Sequence, residues 1–179
     1  MISNIIDALL FFAPAGVANA APVIANKIPL LKQWNTPLDF GKSFRGKRIF
    51  GDNKRWRGLI VGTLVGGLVA YIEALTVFKV GFNAPWQLTL GFATGLLLGF
   101  GALIGDAVES FFKRQAGVAP GKNWFPFDQI DYIVGGLVVS FPFVHVTFVG
   151  YFWVFVVWFC MHLLFSYIGY MLHLKDKPI

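Results

Sequence analysis

Long apolar blocks alternate along the chain with two polar, base-rich intervals. The first block runs from about Ile2 to Ala25 and the second from about Gly58 to Phe78. A third extends from near Trp86 to about Lys113, a fourth from near Asp128 to about Val146, and a fifth from about Phe148 to Leu174. Runs of about 18 to 25 apolar residues are long enough to cross a hydrocarbon core about 30 Å thick. Backbone in such a core must close its own hydrogen bonds, which selects the helix. The pattern therefore predicts an all-α integral membrane protein of about five transmembrane helices. They form a single transmembrane domain over residues 1–179, with large polar loops at 26–57 and 114–127.

Within two blocks, glycine recurs every four residues, as Gly58/Gly62/Gly66 and Gly91/Gly95/Gly99. That spacing puts each set on one helical face, where the missing side chains allow backbones to approach closely. Pro14, Gly16 and Asn19 mark the first block as a site of bending or helix contact.

Composition agrees with the pattern: 56% of residues are hydrophobic and 13% charged, outside the range of water-soluble domains. The single cysteine, Cys160, lies in the last block, which excludes a disulfide framework or a thiolate metal cluster. His145, His162 and His173 share no metal-ligand spacing.

Charge sets the expected orientation. The 26–57 loop holds nine bases, Lys27, Lys32, Lys42, Arg45, Lys47, Arg48, Lys54, Arg55 and Arg57, against Asp39 and Asp52. With Lys113, Arg114, Lys122, Lys175 and Lys177, one side of a five-span arrangement carries fourteen bases, and the other carries only Lys79. The positive-inside bias assigns the rich side to the cytoplasm of a cell-membrane protein. Met1 to Asp7 contain no base, so the first block reads as a retained span with its N-terminus outside rather than as a secretory leader.

Ionisable residues inside membrane helices are costly and mark function unless they sit at helix ends. Asp106, Glu109, Ser110 and Lys113 follow i, i+3, i+4, i+7 spacing and share one stripe at the cytoplasmic end of the third span. Asp128 and Asp131 open the fourth span at the same depth, Asp128 also being suited to cap that helix. Carboxylates from two helices suit Mg²⁺, which binds one or two carboxylates together with phosphate oxygens. Asp106, Asp128 and Asp131 are the expected metal ligands. Glu73 and Asp7 fall toward the outer side and read as interfacial.

The first loop interleaves bases with apolar residues and glycines from Phe44 to Arg57, so it reads as a folded anion site rather than a basic tail. A nucleoside triphosphate or an anionic lipid head suits it; ordinary positive-inside charge accounts for part of it, and no nucleic-acid partner is expected. Gly41 to Lys47 has the outline of a P-loop, but Arg48 stands where the metal-binding hydroxyl belongs and no strand precedes it.

Gly105-Asp106-Ala107-Val108-Glu109-Ser110-Phe111-Phe112-Lys113-Arg114, followed by Pro126-Phe127-Asp128-Gln129-Ile130-Asp131, resembles the CTP-dependent phosphatidate cytidylyltransferases. Gln129 stands where Arg is common in that family, and its usual histidine-glycine segment is absent. Phe50-Gly51-Asp52-Asn53-Lys54-Arg55-Trp56-Arg57-Gly58 and Pro120-Gly121-Lys122 bring the chain closer to the archaeal CDP-archaeol synthases. The likeness spans residues 35–136 and implies five helices, Mg²⁺, CTP and 2,3-bis-O-(geranylgeranyl)-sn-glycerol 1-phosphate.

On this basis Asp106, Glu109, Ser110, Lys113, Arg114, Lys122, Asp128 and Asp131 are the expected catalytic set. Asp52, Asn53, Lys54 and Arg57 are expected contacts of nucleotide or lipid head. A cytidylyltransferase acting on another lipid phosphate and a small ion-coupled transporter are the competing functions.

The base distribution yields a direct test. With Cys160 replaced, thiols introduced at Lys42 and Gly121 are expected to resist an impermeant maleimide in intact cells and to react after permeabilisation. Labelling of either from outside reverses the orientation.

Overall fold

In a computed structural model, the described residues are 2–79, 91–144 and 146–173. The expected start of the third span near Trp86, His145, the end of the fifth span at Leu174 and the tail with Lys175 and Lys177 lie outside them. Among the described residues, five helices of 14 or more residues build the fold: α1 (Ile2–Ala25), α3 (Trp56–Lys79), α4 (Phe92–Gln115), α5 (Phe127–Ser140) and α6 (Phe148–Met171). The first polar loop adds a one-turn helix α2 (Pro29–Lys32) and two short strands, β1 (Ser43–Phe44) and β2 (Lys47–Arg48).

Helices α1, α3, α4 and α6 are long and apolar enough to cross a membrane. The expected fourth span is shorter than the apolar block suggested. α5 has 14 residues, or about 21 Å at 1.5 Å per residue, and ends at Ser140 instead of near Val146. Pro142 lacks the N–H that another helical turn would need, and the chain turns back through 141–143. α6 is the most lipid-like element, with only 11% of its apolar window buried.

Small residues decide how the helices meet. A Cβ on Gly66 would lie 2.7 Å from the Gly95 carbonyl and 3.1 Å from the Gly99 Cα, so α3 and α4 cross backbone to backbone. Gly62 faces Leu103 and the Ala18 carbonyl, and Gly58 packs on Pro22, which locks α1 against α3. Gly91 departs from the expected ladder: it precedes α4, and no described residue lies within 4 Å of its Cβ position.

A second ladder was not anticipated. Gly101 and Gly105 of α4 face Gly135, Gly136 and the Asp131 carbonyl of α5 so closely that no Cβ fits. Phe11, Phe12, Leu98 and Ile133 fill the centre of the bundle. The Trp158 indole of α6 donates to the Ala8 carbonyl at 3.0 Å, and the Tyr132 hydroxyl donates to the Trp158 carbonyl at 3.1 Å.

The polar loop is ordered by its own turn chemistry. Ser43 pairs with Arg48 and Phe44 with Lys47, joined by Arg45 at φ 51 and Gly46 at φ 77. Two consecutive positive φ values make the tight turn that matches hairpin twist. The Lys47 ammonium donates to the Gln115 carbonyl at 2.7 Å, fastening the hairpin to the end of α4.

Gly105→Val is expected to push α4 from α5 and to destabilise the protein by about 1–3 kcal/mol, the usual cost of overpacking. Melting in detergent should show the loss, whereas Gly91→Ala, with no described residue near its Cβ position, should melt as the parent does.

Candidate active site

The α4–α5 contact brings the stripe of α4 to the first turns of α5. Ligand oxygens of Asp106, Glu109 and Asp131 lie within 4.8 Å of one another. Asp128 sits one turn closer to the loop, where the Lys113 ammonium donates to its Oδ1 and the Trp124 N–H reaches Oδ2 at 2.6 Å. Lys113 also approaches Glu109 Oε1 at 3.5 Å, so one ammonium links carboxylates from both helices. Three hard oxygen donors from two helices fit a divalent cation. The trio that distance selects therefore contains Glu109; Asp106 and Glu109 line a cavity together with Asp128, whose oxygens are engaged, while Asp131 is not among its lining residues.

That cavity measures about 440 Å³. Gly51, Asp52, Asn53 and Lys54 of the first loop form one wall. Asp106, Glu109, Ser110, Lys113 and Arg114 form the second, and Lys122 with Asp128 closes the third. A second cavity, about 360 Å³, adjoins it between α1, α3 and α4, lined by Asn19, Pro22, Val23, Leu59 and Leu103. Asn53, Lys54 and Asp106 belong to both. At this junction the Lys54 ammonium donates to Asp106 Oδ2 at 2.5 Å. Val23, 64% exposed near the end of α1, lies on the rim of the smaller cavity.

Arg57, expected at the substrate, is only 3% exposed. It lines the smaller cavity, and its Nη1 donates to the Lys32 carbonyl at 2.8 Å and Asn35 Oδ1 at 2.9 Å, with Nη2 on Asn26 Oδ1. It thus ties the end of α1 and the α2 turn to the start of α3. Asp52 is 73% exposed and accepts from Arg48 at 2.6 Å.

The profile described as CarS-like: CDP-archaeol synthase matches residues 1–179. The chain belongs to the CDP-archaeol synthase family. It is 37% identical to the CDP-archaeol synthase of Pyrococcus furiosus over 77% of this chain and 76% of the relative. It is 35% identical to that of Methanococcus aeolicus over 98% and 97%. A solved structure described as "Structural insight into an intramembrane enzyme for archaeal membrane lipids biosynthesis" superposes with TM-score 0.73 at 28% identity, covering 90% of this chain and 94% of that one. The CDP-archaeol synthase family and the apolar helices together identify a multi-pass membrane enzyme that uses CTP.

Sequence reasoning missed two features of the site. Asn19 appeared as a bend or contact, yet it lines the smaller cavity. Asp39 appeared only as a charge, yet its side chain is fully buried in the loop. The signal available for Asp39 was local, an Asp two residues before Gly41, the spacing at which Asp side chains accept from a turn amide. Burial alone would raise its carboxyl. The bond from Arg48 and those from the Phe50, Gly51 and Gly41 amides outweigh burial and lower the pKa from 3.8 to about 2.

A folded-state pKa below the unfolded one stabilises above the unfolded value and loses that contribution as pH falls through the folded value. Asp39 should therefore hold the loop by about 2 kcal/mol above about pH 4 and release it toward about pH 2. Exchange of the Phe50 and Gly51 amides, corrected for intrinsic rate, should accelerate across that window. Unchanged protection down to about pH 2 would contradict the assignment.

Proposed function

We propose that this chain transfers CMP from CTP to 2,3-bis-O-(geranylgeranyl)-sn-glycerol 1-phosphate, releasing pyrophosphate, at the cytoplasmic face of the cell membrane. The observation that carries this reading is the junction of two cavities at Asn53, Lys54 and Asp106, one between the loop and the α4–α5 pair and one among α1, α3 and α4, beside three clustered carboxylates. The larger, with Lys113, Arg114 and Lys122, suits a triphosphate arriving from water. The smaller, among α1, α3 and α4, suits a phosphate whose chains remain in the bilayer. The fourteen-to-one distribution of bases supports the cytoplasmic placement.

A lipid phosphate oxygen, ionised at neutral pH, attacks the α-phosphorus of CTP; the α–β bridging P–O bond breaks and its electron pair leaves with pyrophosphate. No strong base is required, so catalysis consists of aligning two polyanions and offsetting their charge. Asp106, Glu109 and Asp131 would hold Mg²⁺, which when bound supplies that neutralisation at phosphate oxygens, with Asp128 the further carboxylate of the cavity. Lys54, at the junction, faces both phosphates. Lys113, Arg114 and Lys122 bind the triphosphate, and Ser110 with Glu109 orients them. Asp52 and Asn53 form the loop wall on the nucleotide side, and Arg57 holds the lipid-side wall in place.

Incubation of the purified protein with labelled CTP, Mg²⁺ and the isoprenoid ether phosphate tests the reaction. CDP-lipid and pyrophosphate are expected in equal amounts, and faster turnover of a diacylglycerol phosphate would favour the alternative substrate. The transporter reading finds no support in the acidic trio, which sits where the first turns of α5 meet the loop-side end of α4.

Asp106→Asn and Asp131→Asn keep shape but remove charge. Each should weaken Mn²⁺ or Mg²⁺ binding by at least about tenfold and abolish most turnover, with no recovery at higher pH. Lys113→Ala should retain metal and lose CTP affinity or rate. Near-normal activity of Asp131→Asn at subsaturating Mg²⁺ would remove that residue from the metal site.

A further inference from the structure

Asp39 lines neither cavity, yet the first polar loop is gathered around it. Its two oxygens accept from three backbone amides, Gly41 at 3.0 Å, Phe50 at 3.0 Å and Gly51 at 3.1 Å. They also accept from Arg48, through Nε at 3.3 Å and Nη2 at 2.7 Å. The other arm of the same guanidinium, Nη1, reaches Asp52 Oδ1 at 2.6 Å. Phe50, Gly51 and Asp52 are wall residues of the larger cavity.

The far end of the loop is closed separately. The Leu38 amide donates to the Lys54 carbonyl at 2.8 Å, and Pro37 bridges Arg55. The segment 50–54 is therefore held at both ends, at one by Asp39, which lines neither cavity, and at the other by Pro37 and Leu38, of which Leu38 lines the smaller cavity. A guanidinium fork and three amides leave the carboxylate a single position, and a charge-assisted bond of this kind is roughly twice as strong as a neutral one.

We propose that Asp39 is a positioning residue for cytidylyl transfer, acting through Arg48 and the Phe50 and Gly51 amides to set the loop wall against which the nucleotide rests. The proposal relies on the larger cavity being the CTP site. A residue of purely structural importance would lower the amount of folded enzyme and leave the kinetics of the folded fraction alone. Asp39 instead alters the fit of one substrate.

The test is steady-state kinetics in mixed micelles with CTP and lipid phosphate varied separately, alongside melting of each variant. Asp39→Asn keeps the volume and one acceptor oxygen but turns an amide NH₂ toward donors. Its CTP KM should rise about tenfold while the lipid KM stays within about twofold. Arg48→Lys keeps the charge and leaves the three amide bonds to Asp39, but loses the fork, and should raise the CTP KM by about threefold. An unchanged CTP KM in folded Asp39→Asn, or equal rises for both substrates, overturns the proposal. If Asp39→Asn does not fold, Arg48→Lys decides by the same criterion. Lys122→Ala separates the two readings. A raised CTP KM there with a normal one in Asp39→Asn sinks only the role of Asp39, whereas a normal CTP KM in Lys122→Ala removes the nucleotide from this cavity.

Discussion

Everything at the candidate site depends on how closely α4 and α5 approach. Gly105 packs on the Asp131 carbonyl and Gly101 on Gly135, contacts that a single methyl group would prevent. In a bilayer the lipid chains are as apolar as the side chains, so helices gain little by hiding hydrophobic surface and associate through tight packing and polar contacts. The same glycines that permit the contact also set the separation of the carboxylates, because Asp106 follows Gly105 directly and Asp131 supplies the opposing carbonyl. Stability of the helix pair and construction of the site are thus one feature.

A complementary device works outside the membrane. The first loop is rich in bases, and several are committed to the protein itself: Arg48 to Asp39 and Asp52, Arg57 to the oxygens around α2, and Lys47 to the end of α4. These contacts make the loop rigid. Lys54 differs, since it reaches across to Asp106 in the helical bundle and so stands at the boundary between loop and membrane.

Much of this was legible in the chain. The helical blocks and the stripe Asp106, Glu109, Ser110 and Lys113 follow from periodicity, which depends on residues near in sequence. The grouping of the stripe with α5 was legible in outline, since Asp128 and Asp131 were placed at the same depth. Which carboxylates lie together was not, because Glu109 joins Asp106 and Asp131 only through the glycine contact between helices, and Lys113 engages Asp128 across the same gap. The length of α5 was overread because apolarity continues past Pro142 while the helix does not. Asp39 escaped notice for a related reason: its partners lie up to twelve residues away and converge only once the hairpin has formed.

The shared wall of the two cavities bears on what happens after bond exchange. On the proposed reading, pyrophosphate is born on the aqueous side of Asn53, Lys54 and Asp106, and the nucleotide-lipid is born straddling them with its chains already in the bilayer. The two products part into different phases, one diffusing in three dimensions and the other confined to a plane. Re-encounter at the junction requires arrival from both, the same condition that the two substrates meet, so the partition separates the exits without favouring either direction. A wall made of one loop lysine, one asparagine and one helical aspartate is thin enough to let phosphates meet and sufficient to keep their exits apart.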